Sequence, residues 1–398
     1  MSGRALLLLI VAVLASNAPL AAQGHATDGP YRAVLDLAGG PLRFSLGLWI
    51  EIGNPLCNGS KCDRLPPIRR SGDSIRIDIP DYAATIMAVL RGDSLVGVYR
   101  NVGNRGPRVI PFRAQRGEWP AEHPPAWLVG RWDATWQLDG RTSPRVLEFR
   151  DSTRGLEGTI VSNTGDYGLF WGRADADSFS MSHFDGSYVY MLTGRLDGDT
   201  LRGIFHAGIR TQTPFVAVRS TGRPHLRDPH ELTQADTSVF RFSFPDLEGR
   251  TVTERDSRFR GRVLLVDIFG TWCPTCHDAA PVLTGLWKKY HARGLEIVGL
   301  AYEVTGDPIA DRLQLRIFRD KFDIPYPLLL AGVNDTEAAA ATQPQLKDFV
   351  SFPTSIFIGR DGKVRSIHAG FYGPAMGAAH TRLIEDFEKT IEELLAEK

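Results

Sequence analysis

The sequence has no excess of either charge and, beyond its first residues, no long hydrophobic run. Among its 398 residues, lysine plus arginine and aspartate plus glutamate number 46 each. Such a balance argues against a nucleic-acid binder and against a protein that docks on acidic surfaces. No later stretch approaches the roughly 18 consecutive apolar residues of a transmembrane helix. We therefore predict no nucleic-acid partner and no membrane span in the mature chain.

Residues 1–23 have the pattern of a secretory signal peptide. Arg4 supplies a positive charge, Ala5–Ala15 forms a short apolar core, and small residues precede a cleavage position near Ala22 or Gln23. The core is too short for a comfortable transmembrane helix. We therefore predict that the protein is exported and works in the periplasm or outside the cell, where disulfides persist.

The region from Tyr31 to Arg219 lacks a helical period. Its short apolar runs are broken by Gly, Asp, Asn and Pro, which predicts β-structure throughout. The region also repeats itself at an offset of 103 to 106 positions. The matching segments begin at Asp73 and Asp177, at Gly92 and Gly198, and at Pro111 and Pro214. We predict two related all-β domains, residues 28–118 and 126–220, joined by a proline-rich linker.

Residues 237–398 follow a different pattern, in which strands and helices alternate. Apolar runs at 263–269 and 295–301 indicate strands, residues 309–322 have a helical period, and Asp361-Gly362 marks a hairpin turn. Apolar residues in the tail recur at helical spacing. This order predicts an α/β domain that is closed by an amphipathic helix.

The sequence Cys273-Pro-Thr-Cys276 lies between a strand-like run and a helix-like segment. Pro274 suits the first turn of a helix, since its missing N–H is not needed there. Cys273 would then lie at the helix N-terminus, where unpaired amides and the helix dipole favour a thiolate. A Cys-x-x-Cys pair in this setting indicates a redox-active dithiol.

Other interpretations of the cysteines stay open. Cys273–His277 is also a formal Cys-x-x-Cys-His, the attachment pattern of c-type haem. The pair could be inert thiols or a structural disulfide. The four cysteines could form a zinc site if the two pairs met in space. The preceding strand and the adjacent Trp272 favour the dithiol, because neither has a role in holding a haem.

The remaining cysteines, Cys57 and Cys62, are also close in sequence. In an exported protein they predict a structural disulfide, which would stabilise the fold by roughly 2 kcal/mol through closure of a short loop. We predict neither a metal nor another cofactor. Gly165-Asp-Tyr167 and His183-Phe-Asp-Gly186 invite a functional interpretation, but turn chemistry explains both segments at least as well.

Residues 237–398 resemble the thioredoxin-fold domain of the TlpA/ResA-like exported thiol-disulfide oxidoreductases. The likeness rests on an ordered set of features: Trp272-Cys-Pro-Thr-Cys276 after a strand, Pro281 within the next helix, Phe352-Pro353-Thr354 before a strand, and Asp361-Gly362 in a hairpin. It implies that Phe352-Pro353-Thr354 is the cis-proline loop facing the dithiol. The chain would then be a multidomain protein, with two related all-β domains followed by an α/β thioredoxin-like domain.

The resemblance also implies how the site would work. Cys273 would attack a disulfide of a client protein, and Cys276 would resolve the mixed disulfide. Client binding would involve Trp272, Phe352, Pro353 and Thr354. We predict an exported reductase with a disulfide-containing client as its partner, and a membrane thiol protein would suit as electron donor. A c-type cytochrome and an envelope binding protein with a vestigial redox domain are the rival functions.

Asp267 lies where thioredoxins carry a buried aspartate behind the second cysteine. Burial in an apolar strand would raise the pKa of this carboxyl and suit it to take a proton from Cys276. The alternative is a strand-edge carboxylate that faces water or caps a helix. His277 is predicted to be an exposed helix residue.

Some features of the related families are missing. TlpA-like members commonly have a glutamate three residues after the second cysteine, where this sequence has Ala279, and a small residue where it has Phe352. Peroxiredoxins have Thr or Ser three residues, and Pro seven residues, before the reactive cysteine. Neither Cys273 nor Cys276 has that pattern. We therefore predict no peroxidase activity.

Overall fold

The computed structural model describes residues 28–49, 53–103, 106–138, 140–236 and 238–397. The predicted signal peptide, residues 1–23, lies outside these ranges. Within them, no helix is both long and apolar enough to cross a membrane.

The first part of the chain forms a nine-stranded antiparallel sheet with the order β4-β3-β2-β1-β9-β8-β7-β6-β5. Its residues alternate between buried and exposed, as in β6, where Ile75, Ile77 and Ile79 are buried. One face of the sheet therefore forms an apolar core. Its strands are β1 (Gly29–Leu37), β2 (Gly40–Leu48), β3 (Asn54–Asn58), β4 (Lys61–Leu65), β5 (Arg69–Ser71), β6 (Ser74–Ile79), β7 (Ala84–Arg91), β8 (Ser94–Gly103) and β9 (Gly106–Arg116).

The second nine-stranded sheet closes on itself, since its strand β11 pairs with both β10 and β12. Closure removes the free sheet edges at this point and surrounds an aromatic core that includes Trp132, Phe149 and Phe215. The strands are β10 (Gly130–Leu138), β11 (Arg141–Ser152), β12 (Gly155–Ser162), β13 (Gly165–Asp166), β14 (Phe170–Ala174), β15 (Ser178–Phe184), β16 (Val189–Asp197), β17 (Thr200–Ala207) and β18 (Thr211–Arg219).

The repeated segments occupy equivalent places in the two sheets. Gly92 and Gly198 both have a φ near 60° and lie in the two-residue turns that open β8 and β17. Only glycine adopts this left-handed conformation without strain. Pro111 in β9 pairs with Val98, and Pro214 in β18 pairs with Ile204. The two sheets thus share turn positions and strand register, while their descent from one duplicated domain stays a prediction.

The last part of the chain combines a five-stranded sheet with four α-helices. The sheet has the order β24-β23-β22-β26-β27, in which β22 to β24 are parallel and β26 and β27 are antiparallel to their neighbours. The strands of this sheet are β22 (Val263–Phe269), β23 (Leu295–Glu303), β24 (Leu328–Val333), β26 (Thr354–Ile358) and β27 (Val364–Ala369). Two small sheets lie beside it, in which β19 (Gln234–Ala235) pairs with β25 (Leu346–Lys347) and β20 (Ser243–Pro245) pairs with β21 (Thr251–Thr253). The helices are α1 (Pro274–Tyr290), α2 (Pro308–Lys321), α3 (Thr336–Thr342) and α4 (Ala378–Ala396). Short 3-10 turns cover Pro80–Tyr82, Pro229–Glu231, His291–Arg293 and Pro374–Met376.

This five-stranded sheet is covered on both faces. Val263, Leu265 and Phe269 of β22 face the core that contains buried residues of α1, α2 and α4. Leu264, Val266 and Ile268 face the opposite core, which contains Ala339 of α3 and the phenylalanines near residue 240. Because side chains alternate along a strand, Asp267 falls on the α1 face. The predicted strands, the helix over 309–322 and the closing helix are confirmed.

Candidate active site

Cys273 lies at the junction between β22 and α1. Its backbone is extended, with φ −95° and ψ 116°, and it is the residue that precedes the first helical position, Pro274. The Cys273 Sγ lies 3.5 Å from the carbonyl oxygen of Phe352 and 3.6 Å from the Thr275 hydroxyl. The free amides and positive dipole end of α1 favour a negative charge at this sulfur.

Cys276 lies in the first turn of α1 and is a free thiol, as is Cys273. It is only 2% exposed. Burial raises the pKa of Cys276 well above its ordinary value, and a hydrogen bond with the Cys273 side chain and the Cys273 charge raise it further. The two thiols are thus inequivalent: Cys273 borders a cavity next to the start of α1, whereas Cys276 does not.

Asp267 is buried on the α1 face of β22, behind Cys276. Burial alone raises the pKa of Asp267 to about 7. Its Oδ1 has no hydrogen-bond partner among the described residues. The Asp267 charge in turn raises the pKa of Cys276. Because its charge acts on Cys276, the Asp267 carboxyl is the candidate to take the Cys276 proton, either directly or through water.

The loop before β26 faces the dithiol. The Phe352-Pro353 peptide bond is cis, as the resemblance implied. The Phe352 ring packs edge-on against Trp272, with ring centres 5.6 Å apart. Thr354 is fully buried, and its hydroxyl donates to the Ser351 carbonyl. Trp272 and Phe352 therefore border the site with their side chains, whereas the Thr354 side chain fixes the loop.

The loop that carries Trp272 is held by a buried glutamate that the sequence did not reveal. Glu303, at the end of β23, accepts hydrogen bonds from the Thr271 amide at 2.9 Å and the Thr271 hydroxyl at 2.6 Å. Burial raises the pKa of Glu303 to about 7, although the two bonds from Thr271 oppose the shift. The carboxylate thus positions the segment immediately before Cys273.

The prediction that His277 is exposed was wrong. His277 is 8% exposed, its Nε2 lies 2.7 Å from the Thr271 carbonyl oxygen, and its ring stacks at 4.5 Å on Tyr82, which lies in the turn between β6 and β7. Burial, aided by the nearby Lys321 charge, lowers the pKa of His277 to about 4, so the imidazole is neutral. Helical periodicity could not reveal this contact, because its partner lies in a turn far away in the sequence.

The two β-sheets complete the site. A cavity of about 410 Å³ adjoins Cys273 and is bounded by residues of both sheets as well as by α1. The segments Gly165-Asp-Tyr167 and His183-Phe-Asp-Gly186, which turn chemistry explained equally well in the sequence, contribute Asp166, Tyr167, His183 and Asp185 to its walls. Tyr82, Tyr188 and Tyr190 also border it.

Cys57 and Cys62 are disulfide-bonded and lie opposite each other across the β3–β4 hairpin. The bond occupies both sulfurs, so they are not available to a zinc site shared with the other pair. The hairpin also carries Lys61, whose Nζ lies 3.1 Å from the Asp278 carboxylate of α1.

We expect the paired substitution Cys57→Ser and Cys62→Ser to lower the free energy of unfolding by about 2 kcal/mol, because the loop is no longer closed in the unfolded chain. Neither sulfur belongs to the dithiol, so in the folded variant Cys273 and Cys276 should still form and lose their disulfide reversibly. Chemical denaturation and thiol titration of the same preparation measure the two effects. Loss of dithiol exchange in a folded variant would contradict a purely structural role.

The last part of the chain is similar to known proteins. Residues 236–367 match the model of the AhpC/TSA family. The thiol-disulfide oxidoreductase ResA of Bacillus thuringiensis subsp. konkukian is 28% identical over 123 residues, which are 31% of this chain and 62% of that protein. ResA of Geobacillus thermodenitrificans is 30% identical over 129 residues, 32% of this chain and 66% of that protein.

Solved structures also match part of this chain. A putative thiol:disulfide interchange protein DsbE from Chlorobium tepidum is 22% identical, with a TM-score of 0.31, over 41% of this chain and 100% of that one. A thiol-disulfide oxidoreductase from Bacteroides fragilis is 23% identical, with a TM-score of 0.28, over 37% and 98%. The resemblance predicted from the motifs is thus confirmed by the curated relatives for the C-terminal, thioredoxin-like domain. The chain spans 62% of the length of the first of those relatives.

Proposed function

We propose that this protein is an exported thiol-disulfide oxidoreductase that acts as a reductase through Cys273 and Cys276. The observation that carries the proposal is the arrangement of the dithiol: Cys273 at the start of α1, Cys276 in its first turn, and the buried Asp267 carboxyl, whose charge acts on Cys276. The ResA relatives support the same chemistry. The Cys57–Cys62 disulfide supports export, since such bonds persist outside the cytoplasm.

The reaction has two steps. The Cys273 thiolate attacks one sulfur of a substrate disulfide, which breaks the disulfide and releases the first thiolate. Cys276, after losing its proton to Asp267, then attacks the Cys273 sulfur and releases the second thiolate. The first thiolate takes a proton from solvent, which received that of Cys273, and the second takes the proton that Asp267 holds. The substrate gains two electrons and two protons, and the protein is left with a Cys273–Cys276 disulfide.

A disulfide-containing client protein stays a prediction, and one of its segments would have to enter the cavity to reach Cys273. The membrane thiol protein that would restore the dithiol remains a prediction as well. The β-sheets, in this proposal, form part of the substrate-binding surface, because residues of both border the cavity.

The geometry is unfavourable to the haem alternative. In c-type haem attachment, both cysteines of the motif form thioethers and the histidine binds iron. Here the His277 Nε2 already lies 2.7 Å from a backbone carbonyl, and the ring is packed between Tyr82 and the phenylalanines Phe318 and Phe322. Iron binding by the His277 Nε2 would therefore require this nitrogen to leave the Thr271 carbonyl and the ring to leave its packing.

The proposal is tested by equilibrating the exported protein with mixtures of reduced and oxidised dithiothreitol. We expect a reversible, two-electron disulfide between residues 273 and 276, seen by peptide mass spectrometry, and two titratable thiols after mild reduction. Hydrogen peroxide should oxidise the pair no faster than it oxidises an ordinary thiol. A covalent mass increase of one haem on the peptide, or a pair that never forms the disulfide, would refute the proposal.

A further inference from the structure

Residues of the two β-sheet regions cover the dithiol. Cys273 is 4% exposed and Cys276 is 2% exposed. On the side away from α1, the cavity beside Cys273 is bounded by Tyr82 of the first sheet region and by Tyr188 and Tyr190 of the second. A cavity of about 410 Å³ has the size of a small-molecule site. In this arrangement the flat surface of a folded protein cannot reach the Cys273 sulfur.

The two β-sheets contact the thioredoxin-like domain at several points. Lys61 of the first sheet forms an ion pair with Asp278 of α1. Asp166 of the second sheet accepts a hydrogen bond of 2.5 Å from the Gly373 amide, and the Phe371 amide donates to the Thr164 carbonyl at 3.3 Å. Because both sheets contact different segments of the domain, they hold the residues that enclose the cavity beside Cys273.

The walls of this enclosure carry an excess of negative charge. The acidic residues around it outnumber the basic ones: they are Asp63, Asp81, Asp166, Asp185 and Asp278 against Lys61, Arg64 and Lys321. Lys61 is paired with Asp278, and Lys321 with Asp81. Among the described residues, Asp63, Asp166 and Asp185 form no ion pair with lysine or arginine, and the single remaining base, Arg64, is exposed.

Asp185 is the buried member of this set that lacks a full complement of partners. Its side chain is 9% exposed, and its Oδ1 accepts hydrogen bonds from the Ser187 and Tyr188 amides. Its Oδ2 has no hydrogen-bond partner among the described residues. The His183 Nε2 lies 3.7 Å from this Oδ2 and likewise has no hydrogen-bond partner among the described residues, whereas the His183 Nδ1 bonds the Leu169 carbonyl.

A positively charged hydrogen-bond donor would supply the partner that the Asp185 Oδ2 lacks. Burial alone would raise the pKa of Asp185, but His183 and the two backbone amides hold it below its ordinary value, so the group is a carboxylate at neutral pH. An ammonium group can donate to such an oxygen, and the faces of tyrosine rings attract the same cation. Anionic ligands would meet unpaired carboxylates in a poorly hydrated space.

We propose that the substrate of this dithiol is a low-molecular-weight disulfide that carries an ammonium group, bound between Cys273 and the acidic, tyrosine-lined walls that the two β-sheets supply. This inference rests on the proposed function and specifies its substrate class. Cys273 forms a mixed disulfide with one half of the molecule and releases the other half as a thiol. Cys276 then displaces the second half, so two small thiols leave and the protein holds one new disulfide.

The test is a single-turnover reaction of the reduced full chain with three small disulfides of different charge. Cystamine is cationic, hydroxyethyl disulfide is neutral and dithiodiglycolate is anionic. Each rate constant is divided by that of free dithiothreitol with the same disulfide, which removes differences in intrinsic reactivity. We expect cystamine to exceed the neutral compound by about tenfold and the anion by more. Insulin disulfides should react no faster than they do with dithiothreitol.

Variants locate the effect. The pair Asp63→Asn and Asp185→Asn should reduce the cystamine-to-neutral ratio at least about threefold, because it removes two negative charges from the walls. Asp197→Asn, at an exposed aspartate paired with Arg202, is the matched control and should keep the ratio. If the pair does not fold, Asp63→Asn alone, at a half-buried position, should change the ratio in the same direction.

Equal normalised rates for the three charges, or rapid Cys273-dependent reduction of insulin, would overturn this inference and leave the proposed oxidoreductase intact. If Cys273 and Cys276 form no disulfide with any probe, the proposed function itself fails, and the inference fails with it.

Discussion

Replacing Cys276 with serine should convert the protein from a reductase into a trap for its substrate. Cys273 keeps its place at the start of α1 and can still attack a disulfide. The second step needs a thiol behind Cys273, and no other free cysteine exists in the chain, since Cys57 and Cys62 are bonded to each other. Reaction with cystamine should therefore stop at a stable mixed disulfide, detected as one added cysteamine on the peptide with residue 273.

The matched control is Cys273→Ser, which should abolish exchange altogether. Burial raises the pKa of the remaining thiol, Cys276, well above its ordinary value, so little thiolate forms at neutral pH. No adduct should accumulate, and the rate should fall to that of the uncatalysed reaction. An adduct on Cys276 that forms as fast as in the other variant would reverse the assigned order of the two cysteines.

Substituting Asp267 with asparagine should slow resolution by about 100-fold at neutral pH and affect the first attack much less. The carboxyl must be ionised to take the proton of Cys276, and its pKa is about 7. In the natural protein the resolution rate should therefore rise as the pH increases through 7. In the variant that rise should disappear below the high pKa of Cys276 itself.

Rapid-quench measurement of mixed-disulfide decay against pH separates the two steps. The same substitution should also affect stability, with a sign that follows from the pKa. When the pKa of a carboxyl is higher in the folded state, the protein loses stability as the pH rises through the range between the two pKa values. For Asp267 this range runs from the ordinary pKa of 3.8 to the folded-state pKa of about 7. Asp267→Asn should thus be the more stable protein at pH 8, by at most about 4 kcal/mol. A slower and less stable variant would indicate simple damage to the fold.

Much of the C-terminal domain was predictable, because its signals are local. The apolar run 263–269 predicts a buried strand, and residues 309–322 repeat with a helical period; the structure has β22 and α2 there. Strand alternation also decides that Asp267 shares a face with Val263 and Leu265, which is the face that α1 covers. The Phe352-Pro353-Thr354 segment was recognised through family resemblance, since its distance from Cys273 in sequence carries no local signal.

The two β-sheets illustrate the limit of such signals. Repeated turns at Gly92 and Gly198 predicted similar strand pairs, and the registers of β8–β9 and β17–β18 agree with each other. Closure of the second sheet depends on β11 bonding to both neighbours. Alternation identifies which side of a strand is buried, but it does not identify the strand or helix that will cover it.

The sequence by itself determined that this chain carries a dithiol at the start of a helix, with a carboxylate on the adjoining strand. Only the tertiary structure decided what surrounds that dithiol. Lys61 and Asp278 are 217 positions apart, and Asp166 and Gly373 are 207 apart. Contacts over such separations depend on how complete domains pack against one another, and neither hydrophobic period nor turn chemistry encodes that packing. For the same reason, His277 has the sequence setting of an exposed helix residue and is buried under Tyr82.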